Sequence, residues 1–415
     1  MGYIMKKLLQ SKRQGSAVPL AVVSIIILLA MGVGLLSLGF NSRILSIRNS
    51  SDITARCAAD TGLTIALFEM NEILKAKLWN NGTLPTATDV SLPYCDAVYS
   101  YKVTGDHLGG YVITSVGKSG QAQRTVSATT VLKGLFDDAI LTKADLILKS
   151  GTYIDAYNSL DPLDTDTYAD IATQSILDSS VTLNSGVVVN GDVRVGRGGN
   201  PDTVIKDLGA DISGATYASP VTQPLPEITV PTTLSDKGTD ISAKGDTVTI
   251  TPADNGTYTE ISLKSTGAPG ILEISGGDVV LHLTGVIDLG NSCEIVIKTG
   301  SSLTIYTDGD IQCDNGSTIN VENPSKAADT LKIYATGEGE QFFDLKAKTE
   351  WVGVVYAPNA DVDLYAGGDI YGAVVSNNFE LKSGGNFHYD KALKKVDIDD
   401  EGIRLVVDRW SEGKL

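Results

Sequence analysis

Three histidines, His107, His282 and His388, are the whole imidazole complement of this 415-residue chain, and they are far apart in sequence. His388 lies beside Tyr389 and Asp390. A hydroxyl–imidazole–carboxylate relay can assemble in space from distant residues. No spacing singles one out, so a structural hydrogen bond is the expectation for His388. Aspartates recur in closer groups: Asp308, Asp310 and Asp314, then Asp361, Asp363 and Asp369. Calcium needs six or more oxygens from several residues, and such acids beside a basic residue in a groove would suit proton abstraction from an acidic glycan. No phosphate loop, zinc spacing or nucleophile elbow is present.

The second aspartate group sits in a repeat. Asn359-Ala-Asp-Val-Asp-Leu-Tyr-Ala-Gly-Gly-Asp-Ile-Tyr overlays Ser376-Asn-Asn-Phe-Glu-Leu-Lys-Ser-Gly-Gly-Asn-Phe-His without a gap, at an offset of seventeen. Val362 meets Phe379, Leu364 meets Leu381, and Gly367 meets Gly384. Apolar over apolar and turn over turn is the pattern of stacked coils. Asn291-Ser-Cys-Glu-Ile overlays Asn315-Gly-Ser-Thr-Ile at twenty-four, so the coils are uneven. The reading is a parallel β-solenoid over residues 136–393, with about seven to ten coils. Leu364 and Leu381 should point inward, one above the other, with Lys382 outward. Asp361 and Asp369 become Asn378 and Asn386 on the next coil. That dilution relieves like-charge stacking and speaks against a metal. No catalytic residue, metal or cofactor is therefore expected. Cys293 and Cys313, twenty residues apart, are read as small buried thiols or as neighbours on adjacent coils.

These groups must be carried by something, and the N-terminus says what. Residues 14–42 hold no charge and follow a leader, residues 1–15, with Lys6, Lys7, Lys12 and Arg13. As a helix, residues 17–40 would span roughly 36 Å, enough to cross a bilayer. The basic flank keeps the N-terminus cytoplasmic and sends the body outward, which implies a single-pass inner-membrane protein. A cleaved secretory signal is the competing reading, but no A-x-A-like site follows Phe40. The helix is expected over 16–82. Its second half would bury Leu63, Leu67, Met70, Leu74 and Leu78, and it would stop at Asn80-Asn81-Gly82. Residues 83–135 alternate as a small antiparallel sheet, and residues 394–415 are expected to cap the open end of the solenoid.

Composition narrows the partners. The net charge is −17, and since four positive charges lie in the leader, the remainder stands at −21. A body of that sign is unsuited to nucleic acid. The 43 glycines and few aromatics fit many tight turns.

A short basic leader ending in Gly15, an apolar run starting at once, and a helix carrying Ala55-Arg-Cys-Ala-Ala-Asp resemble the PilX-type minor pilins, a type IV pilin-like group. The resemblance implies cleavage by a prepilin peptidase between Gly15 and Ser16, and other pilin-like subunits as partners. Two positions depart from the pattern: Ser16 stands where the group has an aromatic, and Leu20 where it has a glutamate. That glutamate would neutralise a neighbour's amino terminus in an apolar filament core, so a tip or initiating subunit, or a plain anchor, is implied. Val352-Gly-Val-Val-Tyr-Ala-Pro-Asn and Asn386-Phe-His-Tyr-Asp-Lys-Ala-Leu look like a bacterial solenoid module of uncharacterised function, over about 151–393. The expectation is a mainly β, non-enzymatic surface or periplasmic protein in pilus-like assembly or adhesion, its surface or glycan ligand unknown. A polysaccharide lyase-like enzyme using a solenoid groove is the alternative, and end-to-end self-association a third.

Overall fold

The computed structural model describes residues 17–106, 110–337, 339–346, 348–365, 367–398 and 400–413. Gly15, Ser16 and His107 lie outside them. The chain is mainly β, with one long apolar helix, one antiparallel sheet and one large parallel sheet. It divides into two units. The first takes most of the helix, Asn80–Val131 and the C-terminal strand; the second takes Ile73–Trp79 and Leu132–Val406.

The helix runs Ala17–Lys75. Its buried side begins at Ala55 and continues through Ala58, Ala59, Leu63, Ala66 and Met70. Small residues dominate that side because the helix lies flush on the sheet. A Cβ added to Gly117 would stand 2.0 Å from the Ala55 carbonyl oxygen, and one on Gly62 would stand 2.4 Å from Ser115 Oγ. The expected leucine stripe is thus corrected: Leu67 is half-buried and Leu78 exposed. The stop also comes before Asn80. Lys77 adopts a left-handed φ of 52°, its N–H donates to Leu74 O, and Leu78 N–H donates to Ile73 O. This is a Schellman closure without a glycine.

The sheet orders Thr86–Ser91, Val98–Asp106, Gly110–Ser119, Ala122–Lys133 and Arg404–Gly413. The last strand overturns the expected cap at 394–415. Leu405 is buried, Ser411 Oγ donates to Ser127 O at 3.4 Å, and Arg56 pairs with Glu412 at 3.5 Å while lying 5.8 Å from the Trp410 ring. Those contacts give the strand a place in the antiparallel sheet. Topologically, everything from residue 134 to 403 is an insertion between two neighbouring strands.

In the second unit all strand pairings are parallel, and most strands pair with the third strand along. Three ladders result. One aligns Thr216, Val193, Ile171, Ile140, Val374, Val355, Ile333, Ile305, Leu281 and Gly256. Another aligns Ile212, Val189, Ile154, Phe387, Ile370, Trp351, Ile319, Ile295, Leu272 and Val248. The third includes Leu183, Leu148, Leu381, Leu364, Leu345, Cys313, Leu289, Leu263 and Ala243. Nearly all these side chains belong to one continuous core. Leu364 and Leu381 are fully buried and paired as expected. The left-handed turn after this leucine column falls on Gly151, Gly186, Gly316, Gly367 and Gly384, and on Ser292 and Lys348 where glycine is absent.

Spatial order departs from chain order. The chain starts mid-ladder at Ile140, builds to 205–218 at one end, and resumes at Ile241 at the other. It then returns until Asn386–Asp390 lies against Tyr153–Tyr157. The crossing must climb nine strand spacings, about 43 Å. Thirteen residues, 219–231, with Pro220, Pro224, Pro226 and Pro231 among them, reach about 40 Å as polyproline II. Tyr356 OH donates to Pro226 O at 2.7 Å, and Gln174 Nε2 donates to Gln223 O at 2.6 Å.

Candidate functional site

The helix is the first candidate surface. From residue 17 to 51 its only charges are Arg43 and Arg48, and the side chains of Leu20, Ile27, Leu36 and Phe40 are all exposed. The helix is long and apolar enough to cross a membrane by length and composition, with mean hydropathy 2.7 in its most apolar window. The first carboxylate along it, Asp52, accepts from Arg124 Nε at 2.6 Å. Leu20 leaves the apolar stretch without an acid. The expected processing residues Gly15 and Ser16 lie outside the described residues.

The closing motif, residues 388–391, acts as a lock. His388 Nδ1 bonds the Asp155 carboxylate, and its ring stacks on Tyr371 with centroids 4.6 Å apart. Tyr389 OH donates to Phe136 O at 2.7 Å. Asp390, buried, accepts from the amides of Ser159, Ala328 and Ala392 at 3.0, 3.2 and 3.0 Å. Lys391 Nζ sits 2.7 Å from Asp164 and 3.2 Å from Asp166, and its hydrogen bond pulls the Asp164 carboxyl down to about 2. The expected structural role of His388 agrees with this geometry. The roles of its three successors were legible only as a motif.

His282 does meet an acid and a hydroxyl. Its Nε2 is 3.0 Å from Asp308 Oδ2, its Nδ1 is 3.3 Å from Thr257 Oγ1, and Thr336 Oγ1 donates to Asp308 Oδ1 at 2.8 Å. The Thr257 amide, however, already donates to Ser235 O. The hydroxyl therefore lacks the free adjacent N–H that would hold an oxyanion. Asp310 accepts from Phe342 N–H at 2.9 Å instead of joining Asp308. Among the described residues no three His, Cys, Asp or Glu side chains are grouped to hold a metal.

The second aspartate group is neutralised across the ladder. Asn378 Nδ2 donates to Asp361 at 2.8 Å, and Asn386 Nδ2 donates to Asp369 at 2.8 Å. Lys382, expected to face solvent freely, instead lies 2.7 Å from Glu380 and 3.3 Å from Asp363. Tyr365 takes Lys382 at 5.2 Å and Lys346 at 4.7 Å from its ring centroid. Cys293 and Cys313 are free and buried, and burial pushes the Cys313 thiol far up.

A cleft of about 290 Å³ opens in the second unit, lined among others by Leu135, Phe136, Leu393, Tyr334, Lys332 and Asp400. Lys332 Nζ pairs with Asp400 at 3.0 Å, and Tyr306 OH donates to Glu401 at 3.3 Å.

Residues 216–396 match a family described as a domain of unknown function, DUF7305. No curated protein matches the chain. Among solved structures, the chain is similar to the competence-associated pilin ComZ from Thermus thermophilus, at 14% identity over 88% of this chain and 98% of that one, with a TM-score of 0.24. It is also similar to a glycosylated ice-binding protein, LeIBP, from an Arctic yeast, at 14% identity over 61% and 90%, TM-score 0.32. A third is the DUF3494 domain of an ice-binding protein from Shewanella frigidimarina, at 14% identity over 61% and 94%, TM-score 0.25.

Proposed function

We propose that this chain is a membrane-anchored, pilin-like surface subunit whose second unit is a rigid parallel β-solenoid used for display, not catalysis. One observation carries the reading. A single helix is exposed over its first half, where Arg43 is the only charge, then lies through Ala55, Ala58 and Ala59 on an antiparallel sheet. Such a helix holds a head at a fixed distance from lipid, because no break intervenes. The three ladders, with their shared core and repeated left-handed turn, support three solenoid faces. Acids held by Asn378, Asn386, Lys382 and Lys391 support a structural body, since a lyase groove would keep carboxylates and a base free for substrate. The helix would stand in the inner membrane, N-terminus inside, with the body periplasmic or on the cell surface. Prepilin peptidase and other pilin-like subunits are its partners, and PilX-type assembly or adhesion its role.

Fractionation with protease shaving tests this. The full chain should remain with membranes after high-salt washing and be digested from outside, whereas a chain beginning at residue 50 and exported by a cleaved signal should be soluble. A salt-extractable or cytoplasmic full chain would contradict the reading.

A further inference from the structure

Tyr334 is 2% exposed, lines the cleft, and its hydroxyl has no hydrogen-bond partner among the described residues. Burial, Tyr306 and the Glu401 and Asp400 carboxylates hold its ionisation far above the usual range. It is therefore a neutral phenol on the cleft, free to donate to or accept from a ligand there.

The charges around it are unbalanced. Asp329, Asp397, Asp400 and Glu401 line the cleft against Lys332 and Lys395. Asp400 is taken by Lys332 and Glu401 by Lys77 and Tyr306, while Asp329 at the rim has no ion-pair partner among the described residues. Leu135, Phe136 and Leu393 add hydrocarbon to the same lining. A lining that combines carboxylate and phenol oxygens with hydrocarbon fits a cation with an alkyl stem. An anion or a wholly apolar ligand would leave one of these two kinds of lining unmatched. The volume is at the small end of ligand pockets, roughly 300–1,000 Å³.

We propose that this cleft binds a primary ammonium on an aliphatic stem, with the ammonium between Asp329 and the Tyr334 oxygen and the stem against Leu135 and Phe136. A free diamine and a partner's lysine side chain share that chemistry. Binding of 1,5-diaminopentane, of N-acetyl-lysine methylamide and of pentan-1-ol should be measured by calorimetry on the detergent-solubilised full chain. The diamine should bind saturably and pentan-1-ol should not. Asp329→Asn and Tyr334→Phe should each weaken the diamine about tenfold, the size of one charge-assisted hydrogen bond, with unchanged unfolding midpoints. Binding of both amines supports a lysine side chain as the natural ligand, and binding of the diamine alone supports a free diamine. No saturable amine binding up to about 10 mM, equal binding of pentan-1-ol, or unchanged affinity in both variants would overturn the site.

Discussion

Phe387 lies beside Ile154 in parallel register, although 233 residues separate such partners along the chain. The last strand of the returning ladder thus seals against one of the first. Both side chains are fully buried, so the second unit is completed only when its C-terminal part arrives. Loop closure over that distance is slow relative to local pairing.

Core and surface should differ sharply at the neighbouring level. Leu381→Asp places an unpaired carboxylate between Leu364 and Leu148 and should destabilise the second unit by several kcal/mol. Lys382→Asp should not be silent. It removes the cation shared by Glu380 and Asp363 and sets a third acid beside them, costing about 1 kcal/mol at a partly exposed site. Urea midpoints of both variants check this, and equal losses would contradict the stacking.

The offset of seventeen was readable because apolar positions and turn glycines repeat together, as Leu364–Gly367 and Leu381–Gly384 do. The joining of 386–390 to 153–157 leaves only a faint trace in the sequence: Lys149-Ser-Gly and Lys382-Ser-Gly share three residues at the same turn. Without a gap-free overlay around it, so short a match has little weight. The buried side of the helix departs from the leucine spacing because Ala55, Ala58 and Ala59 carry little hydrophobic signal, yet only small side chains permit the approach at Gly117. The terminal strand leaves no strand signal in the sequence because an edge strand exposed along Val407–Trp410 has no alternating pattern. The site residues Asp155, Asp164 and Ala328 were invisible since each meets the 388–391 motif only through the fold.

At the repeated turn, Lys348 and Ser292 hold left-handed φ values of 61° and 59° where neighbouring levels have glycine. A side chain there costs about 1–2 kcal/mol, partly offset by glycine's freedom when unfolded. Lys348→Gly should therefore raise the thermal midpoint, by up to about 1 kcal/mol of stability, and Gly384→Ala should lower it. Scanning calorimetry decides, and a Lys348→Gly variant less stable than wild type would count against the shared turn.

Asp138 is 3% exposed and bonded to Arg194. Burial raises its carboxyl to about 6 despite the pull of Arg194, with Asp137 and Asp170 adding to the rise. A folded-state value above the unfolded 3.8 means that protonation favours the fold. This contribution is complete below pH 3.8 and is lost as pH rises through about 6. The urea midpoint of the second unit should therefore increase between pH 7.5 and pH 5, and Asp138→Asn should flatten that slope. An Asp138→Asn variant with the wild-type slope would exclude Asp138 as the source.

The mature N-terminus remains the most direct test of a pilin-like subunit. Intact-mass and N-terminal peptide analysis of the chain purified from native membranes should find residues 1–15 absent and Ser16 first, with the apolar helix retained. A chain starting at Met1, or one cut beyond Phe40 and free of the membrane, would contradict it.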